Sequence, residues 1–98
     1  MPRHIFYDKL NRLLDDAGFD AFVEELCEPF YSILGRDSIP PGRYFRMLFV
    51  GYFEAIDSQR GIAWRCADSL SLRSFLFLDA SDESPDHSSL TRIRERLP

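Results

Sequence analysis

Lysine is almost missing from this chain. Eleven of the twelve basic residues are arginine, and Lys9 is the exception. Arginine's planar fork suits bidentate contact with phosphate, bases or carboxylate, and it serves surface ion pairs equally well. Cysteine is scarce too. Cys27 and Cys66 stand at no metal-ligand spacing, so they read as reduced thiols inside a core. The two histidines, His4 and His87, are far apart and have no ligand-type neighbours. No Gly-rich phosphate loop, HExxH pair or Ser–His–Asp order occurs. Catalytic residues, metal ligands and a cofactor are therefore expected to be absent. No apolar run approaches the roughly 18 residues of a membrane span. The N-terminus lacks the apolar core of a secretory signal, which makes the cytoplasm the expected compartment. No segment alternates with the period of two that marks a strand. Repeats and low-complexity tracts are absent as well.

What is present is ordinary for a globule. Hydrophobic residues make up 45% and charged residues 29% of 98, enough for one domain and not two. The expected domain is the whole span 1–98. Net charge is −4, which argues against a surface that is basic throughout. The charge is uneven. Residues 1–40 carry four basic and eight acidic groups, 79–86 carry four acidic groups alone, and 87–98 carry three basic and one acidic.

The chain is built around 43–56. Wound as a helix, this stretch places Arg43, Arg46, Glu54 and Asp57 on one stripe around Val50, and it is apolar elsewhere. A helix apolar nearly all round is a central one. Around it the spacing predicts further helices. The first, from Ile5, has Phe6, Leu10, Leu13, Leu14 and Ala17 inward and stops at Gly18. The second has Phe19, Phe22, Val23, Leu26, Cys27, Phe30, Ile33 and Leu34 inward and Asp20, Glu24, Glu25 and Glu28 outward. Pro29 predicts a kink or break in it near Glu28, and Gly35 its end. Pro41 suits a first helical turn. Asp57 or Ser58 caps a helix over 59–69 that buries Ile62, Ala63, Cys66, Ala67 and Leu70. Trp64 sits at the edge of that face and fits either a core rim or a contact surface. A short helix follows over 70–78, with Leu72, Phe75, Leu76 and Leu78 apolar. The acidic stretch 79–86 reads as a loop whose charge favours the next helix start, not as a metal site. His87 reads as part of that helix start rather than a ligand or base. Asp86 or Ser88 caps a last helix over 89–97, with Leu90, Ile93 and Leu97 inward. The fold class is all-α, about six helices round a central one, with a helix-turn-helix-like part over 59–97.

The last helix carries the clearest candidate for contact. Ser89, Arg92 and Arg96 are spaced three and four apart along one flank, with Thr91 beside them and Arg94 on the other flank. Such a helix could be presented to DNA. Arg60 and Arg65 are secondary candidates. A module that binds protein is the rival reading, favoured by the acidic first forty residues.

A resemblance runs through the chain from about Phe19 onward. Gly35-Arg36, Ile39-Pro40-Pro41-Gly42, Tyr44-Phe45-Arg46-Met47-Leu48, Gly51-Tyr52-Phe53-Glu54, Ile56-Asp57-Ser58, Arg60-Gly61-Ile62-Ala63-Trp64-Arg65 and Pro85-Asp86-His87-Ser88-Ser89-Leu90 stand in the order seen in bacterial insertion-sequence transposases. The chain resembles the N-terminal helical region of the family that includes the InsH-type enzymes. The resemblance implies a non-catalytic domain for transposon-end recognition and assembly during DNA transposition. It implies double-stranded DNA, the transposase catalytic domain and a second copy as partners, and no membrane. In such enzymes a separate domain of RNase-H-like fold holds a DDE carboxylate triad with two divalent metals. The acidic residues of 79–86 do not correspond to that triad. The resemblance places the missing catalytic domain after Pro98. It leaves open an excised fragment, a truncated gene and one piece of a frame-shifted element. Many relatives begin the central helix with an Asp cap before Pro. Here Pro41-Gly42 takes that place, so a different cap and the same helix are expected.

Overall fold

The computed structural model describes residues 3–34, 39–79 and 81–97. Six helices follow one another: α1 (Arg3–Asp16), α2 (Phe19–Leu34), α3 (Pro41–Phe53), α4 (Gln59–Ala67), α5 (Leu70–Phe75) and α6 (His87–Arg96). The described residues contain no strand, and no helix is long and apolar enough to cross a membrane. The expected end of α2 at Gly35 lies outside the described residues.

Local chemistry sets most boundaries. Gly18 adopts a φ of +67° and ends α1, a conformation that costs glycine little. Ser58 accepts the Gly61 N–H, Ser69 the Leu72 N–H and Asp86 the Ser89 N–H. Each satisfies one of the orphan donors of a first turn. α3 has no side-chain cap. Pro41 stands in its first turn, and the Pro40 carbonyl accepts from the Tyr44 N–H. Of the expected kink or break near Glu28, the break does not occur: α2 is continuous through Pro29. Val23 and Cys27 are buried in the half before it, α2 packs along α3, and this packing outweighs one lost backbone bond.

Two helices stop earlier than their apolar patterns suggest, and both stop in the same way. At the end of α3, the Ile56 N–H reaches the Gly51 carbonyl and the Ala55 N–H the Tyr52 carbonyl. At the end of α5, the Leu78 N–H reaches the Arg73 carbonyl and the Phe77 N–H the Ser74 carbonyl. These are Schellman closures, which need a left-handed residue. Ala55 (φ 56°) and Phe77 (φ 61°) fill that position, where glycine is the usual occupant. Ala55 is exposed, so Ala55→Gly should remove strain without removing a contact. The expected gain is about 1 kcal/mol, read as a higher melting temperature; an unchanged or lower one would contradict it.

α3 is the central helix, with seven buried residues, but its deep side is not the expected one. The stripe of Arg46 and Val50 faces inward with Met47, while Tyr52 (74% exposed) and Phe53 (48%) lie outside. Gly51 lets α4 approach: a Cβ there would stand 2.6 Å from Ile62 Cδ1. α1 is turned as well. Tyr7 is buried, whereas Leu13 and Ala17 are exposed. In α2, Phe22 and Leu26 are exposed, and Asp20 is half-buried rather than outward. Ala67 and Leu70 also face solvent. Leu72, Phe75, Leu76, Leu78, Leu90 and Ile93 are buried as expected.

The reason for the inversion is Arg46, which is fully buried. Its Nε–H donates to Asp20 Oδ1 (3.0 Å). Nη1 donates to Asn11 Oδ1 (2.6 Å) and the Phe75 carbonyl (3.0 Å). Nη2 donates to Asp20 Oδ2 (2.7 Å) and Asp15 Oδ1 (3.4 Å). All five donors of the guanidinium are thus used. Its carbon lies 4.9 Å from the Phe75 ring centre and 4.4 Å from that of Phe77. One side chain therefore joins α1, α2, α3 and the end of α5. Gly42 belongs to the same arrangement, because a Cβ there would collide with the Asp20 carboxylate. Arg43 completes it, donating to the carbonyls of Leu76 (2.8 Å) and Phe77 (3.1 Å).

Candidate nucleic-acid interface

α6 is held by its two ends and one face. Leu90 and Ile93 are buried and anchor it, with α4 as its main neighbour. Asp86 caps the start at 2.9 Å from the Ser89 N–H. The Ser89 backbone N–H and hydroxyl hold the Asp86 carboxyl below its ordinary range, helped by nearby His87 and Arg92. His87 is the first residue of the helix. Its carbonyl accepts the Thr91 hydroxyl at 2.9 Å.

This geometry divides the sequence-derived candidates. Arg92 and Arg96 are exposed and make no ion pair among the described residues. Arg60, in the first turn of α4, is likewise exposed and makes no ion pair among the described residues. The Thr91 hydroxyl is spent on the helix itself, and Ser89 gives its backbone N–H to the Asp86 cap. Arg65 is committed elsewhere: its Nε donates to Glu54 Oε1 at 2.6 Å. The other oxygen of Glu54 accepts the Tyr7 hydroxyl at 2.6 Å. Trp64, which the sequence leaves between two roles, is 75% exposed. It borders an open recess of about 530 Å³ with Arg65 and Asp68.

The Tyr7–Glu54–Arg65 link lies beside Cys66. Burial, and then Glu54, push the Tyr7 phenol up, and the same two causes push the Cys66 thiol up to about 12. Both folded values lie above the unfolded ones of about 10 and about 8.5. The proton-bound forms therefore stabilise the fold fully below about pH 8.5, and that contribution is lost as pH rises. The melting temperature should fall steadily from about pH 9 upward, with a shallower first part in Cys66→Ala. A flat profile into the phenol range would contradict this.

Two carboxylates of the acidic loop act on its own backbone and on the start of α6. Asp82 accepts the Asp79 N–H at 2.8 Å, and Asp86 caps α6. Arg73 binds the carbonyls of Asp79 and Asp82. Among the described residues no three of His, Cys, Asp and Glu come together in a way that could hold a metal ion.

A second surface is not legible in the sequence. A groove of about 410 Å³ runs between α2, α3 and the end of α6. Phe30, Phe45 and Leu48 line it, and Arg94 and Leu97 stand at the α6 side. Its one signal is the pair Phe22 and Leu26, whose helical spacing reads equally well as core.

A family model described as "Transposase domain (DUF772)" matches residues 1–96. No curated protein and no solved structure matches the chain.

Proposed function

From the premise that the chain belongs to the DUF772 transposase-domain family, we propose that it serves as a non-catalytic N-terminal domain of a DDE-type transposase and contacts duplex DNA at transposon ends through α6. The observation that carries this reading is the pair Arg92 and Arg96, exposed and without ion pairs among the described residues, on the flank that Leu90 and Ile93 leave outward. A helix is about 10–12 Å across with its side chains, and a B-DNA major groove is about 12 Å wide. Arg60, exposed in the first turn of α4, is the secondary candidate in this reading, with 59–97 taken as the helix-turn-helix-like part. The net charge of −4 is compatible with this, because acidic groups concentrate in residues 1–40 and in the loop 79–86. The chain itself neither nicks nor joins DNA in this reading.

Titration against duplexes carrying the element's terminal inverted repeats, with a scrambled duplex as control, tests the proposal. Tighter binding to the repeats, weakened by added salt, is the expected result. Equal or no binding to both would overturn end recognition.

A second reading is favoured by the groove between α2, α3 and α6 and by the exposed Phe22 and Leu26 beside it. It is a protein–protein module that dimerises the transposase or docks on its catalytic domain.

A further inference from the structure

The geometry points to a second copy of this chain as the occupant of the α2–α3–α6 groove, with each copy inserting the outer ridge of its own α2 into the other. This rests on the protein-binding reading above and names the partner.

Phe22 and Leu26 are 62% and 59% exposed, one helical turn apart. An amphipathic helix laid in an apolar groove is read through such i, i+4 anchors. Leu26 belongs to both features: it stands on the ridge and also lines the groove. A ridge that adjoins its own receptor surface is what an isologous two-fold contact requires, since one patch must meet itself. Leu26 would then lie near the axis.

Charge selects this occupant. Among the described residues, Arg94 is the charged residue lining the groove, and it makes no ion pair there. Burial raises the Tyr44 hydroxyl, and Arg94 partly offsets that rise. The Arg94 charge therefore acts at the groove floor. An incoming helix needs two apolar anchors and a carboxylate beside them. α2 has both: Glu25 is exposed and shares a shallow recess with Phe22 and Leu26. In a two-fold pair each Glu25 meets the Arg94 of the other copy.

Sedimentation of the chain over a concentration series tests this, with the charge reversals Glu25→Arg and Arg94→Glu. Both positions are exposed, and circular dichroism checks the fold of each variant. The wild type should approach twice its monomer mass as concentration rises. Each variant alone should dimerise at least tenfold more weakly, because like charges then face each other. An equal mixture of the two variants should recover association, because both contacts then pair opposite charges. In such a mixed dimer the introduced arginine meets the introduced glutamate, and the unaltered Glu25 of one copy meets the unaltered Arg94 of the other. A wild type that dimerises regardless of either reversal would overturn this surface, as would a mixture no better than its components. A monomer at every concentration would overturn the second copy. The apolar fluorescent anion anilinonaphthalene sulfonate then separates the two failures. A monomer that binds it keeps an open docking face for another protein, while a monomer that binds none loses the protein-binding reading as well.

Discussion

Arg46→Ala should cost the fold about 3–5 kcal/mol, the usual range when one partner of a buried ion pair is removed. The guanidinium is fully buried and uses all five donors. Its removal leaves Asp20 without its bidentate partner and takes one donor from the Phe75 carbonyl. It also opens a space between the Phe75 and Phe77 rings. The pairing with Asp15 matters least, because that carboxylate is 54% exposed at 3.4 Å. For a domain of this size the loss corresponds to a fall of about 15 °C or more in melting temperature. Arg46→Lys should recover only part of it, since an ammonium has three donors and cannot lie flat between two rings. A fall of under about 4 °C for Arg46→Ala, or full recovery with lysine, would show that the contacts around Arg46 are not what holds α1, α2, α3 and α5 together.

The second large effect is on DNA. Each phosphate neutralised by an arginine contributes about 0.9 to the slope of log affinity against log salt. Arg92→Ala with Arg96→Ala should lower that slope by about 1.8 and weaken binding about 30-fold near physiological salt. Both side chains are exposed and make no ion pair among the described residues, so the thermal transition should stay in place. If one arginine reads a guanine edge instead, the variant loses about 1–3 kcal/mol of discrimination between the inverted repeat and the scrambled duplex. Arg65→Ala should behave differently. It breaks the pair with Glu54 and lowers stability before it touches DNA binding.

The fold is readable where punctuation is chemical. Gly18, Ser58 and Asp86 mark ends by their own backbone or side-chain preferences, and they do so here. Leu90 and Ile93 are readable because a helix with so few apolar residues has only one way to face. α3 is not readable in the same way. With apolar residues on most of its circumference, the wheel shows a central helix but not which side is deepest. A charged residue counts as outward until its partners are known, and Asn11, Asp20 and Phe75 lie 35, 26 and 29 residues away in sequence. The early ends of α3 and α5 carry no signal, because Ala55 and Phe77 occupy positions that glycine would have announced. The candidate site is half legible. Arg92 and Arg96 follow from spacing. Nothing local shows that Arg65 pairs with Glu54, or that Phe22 and Leu26 stay uncovered.

The separation of a DNA face from a protein face is tested most directly by nuclear magnetic resonance, following backbone amides as inverted-repeat duplex is added. The account predicts shifts concentrated in His87–Arg96 and near Arg60, with Phe22–Cys27 and Phe45–Leu48 unchanged. Shifts confined to α2 and the groove, or none at all at saturating duplex, would contradict it.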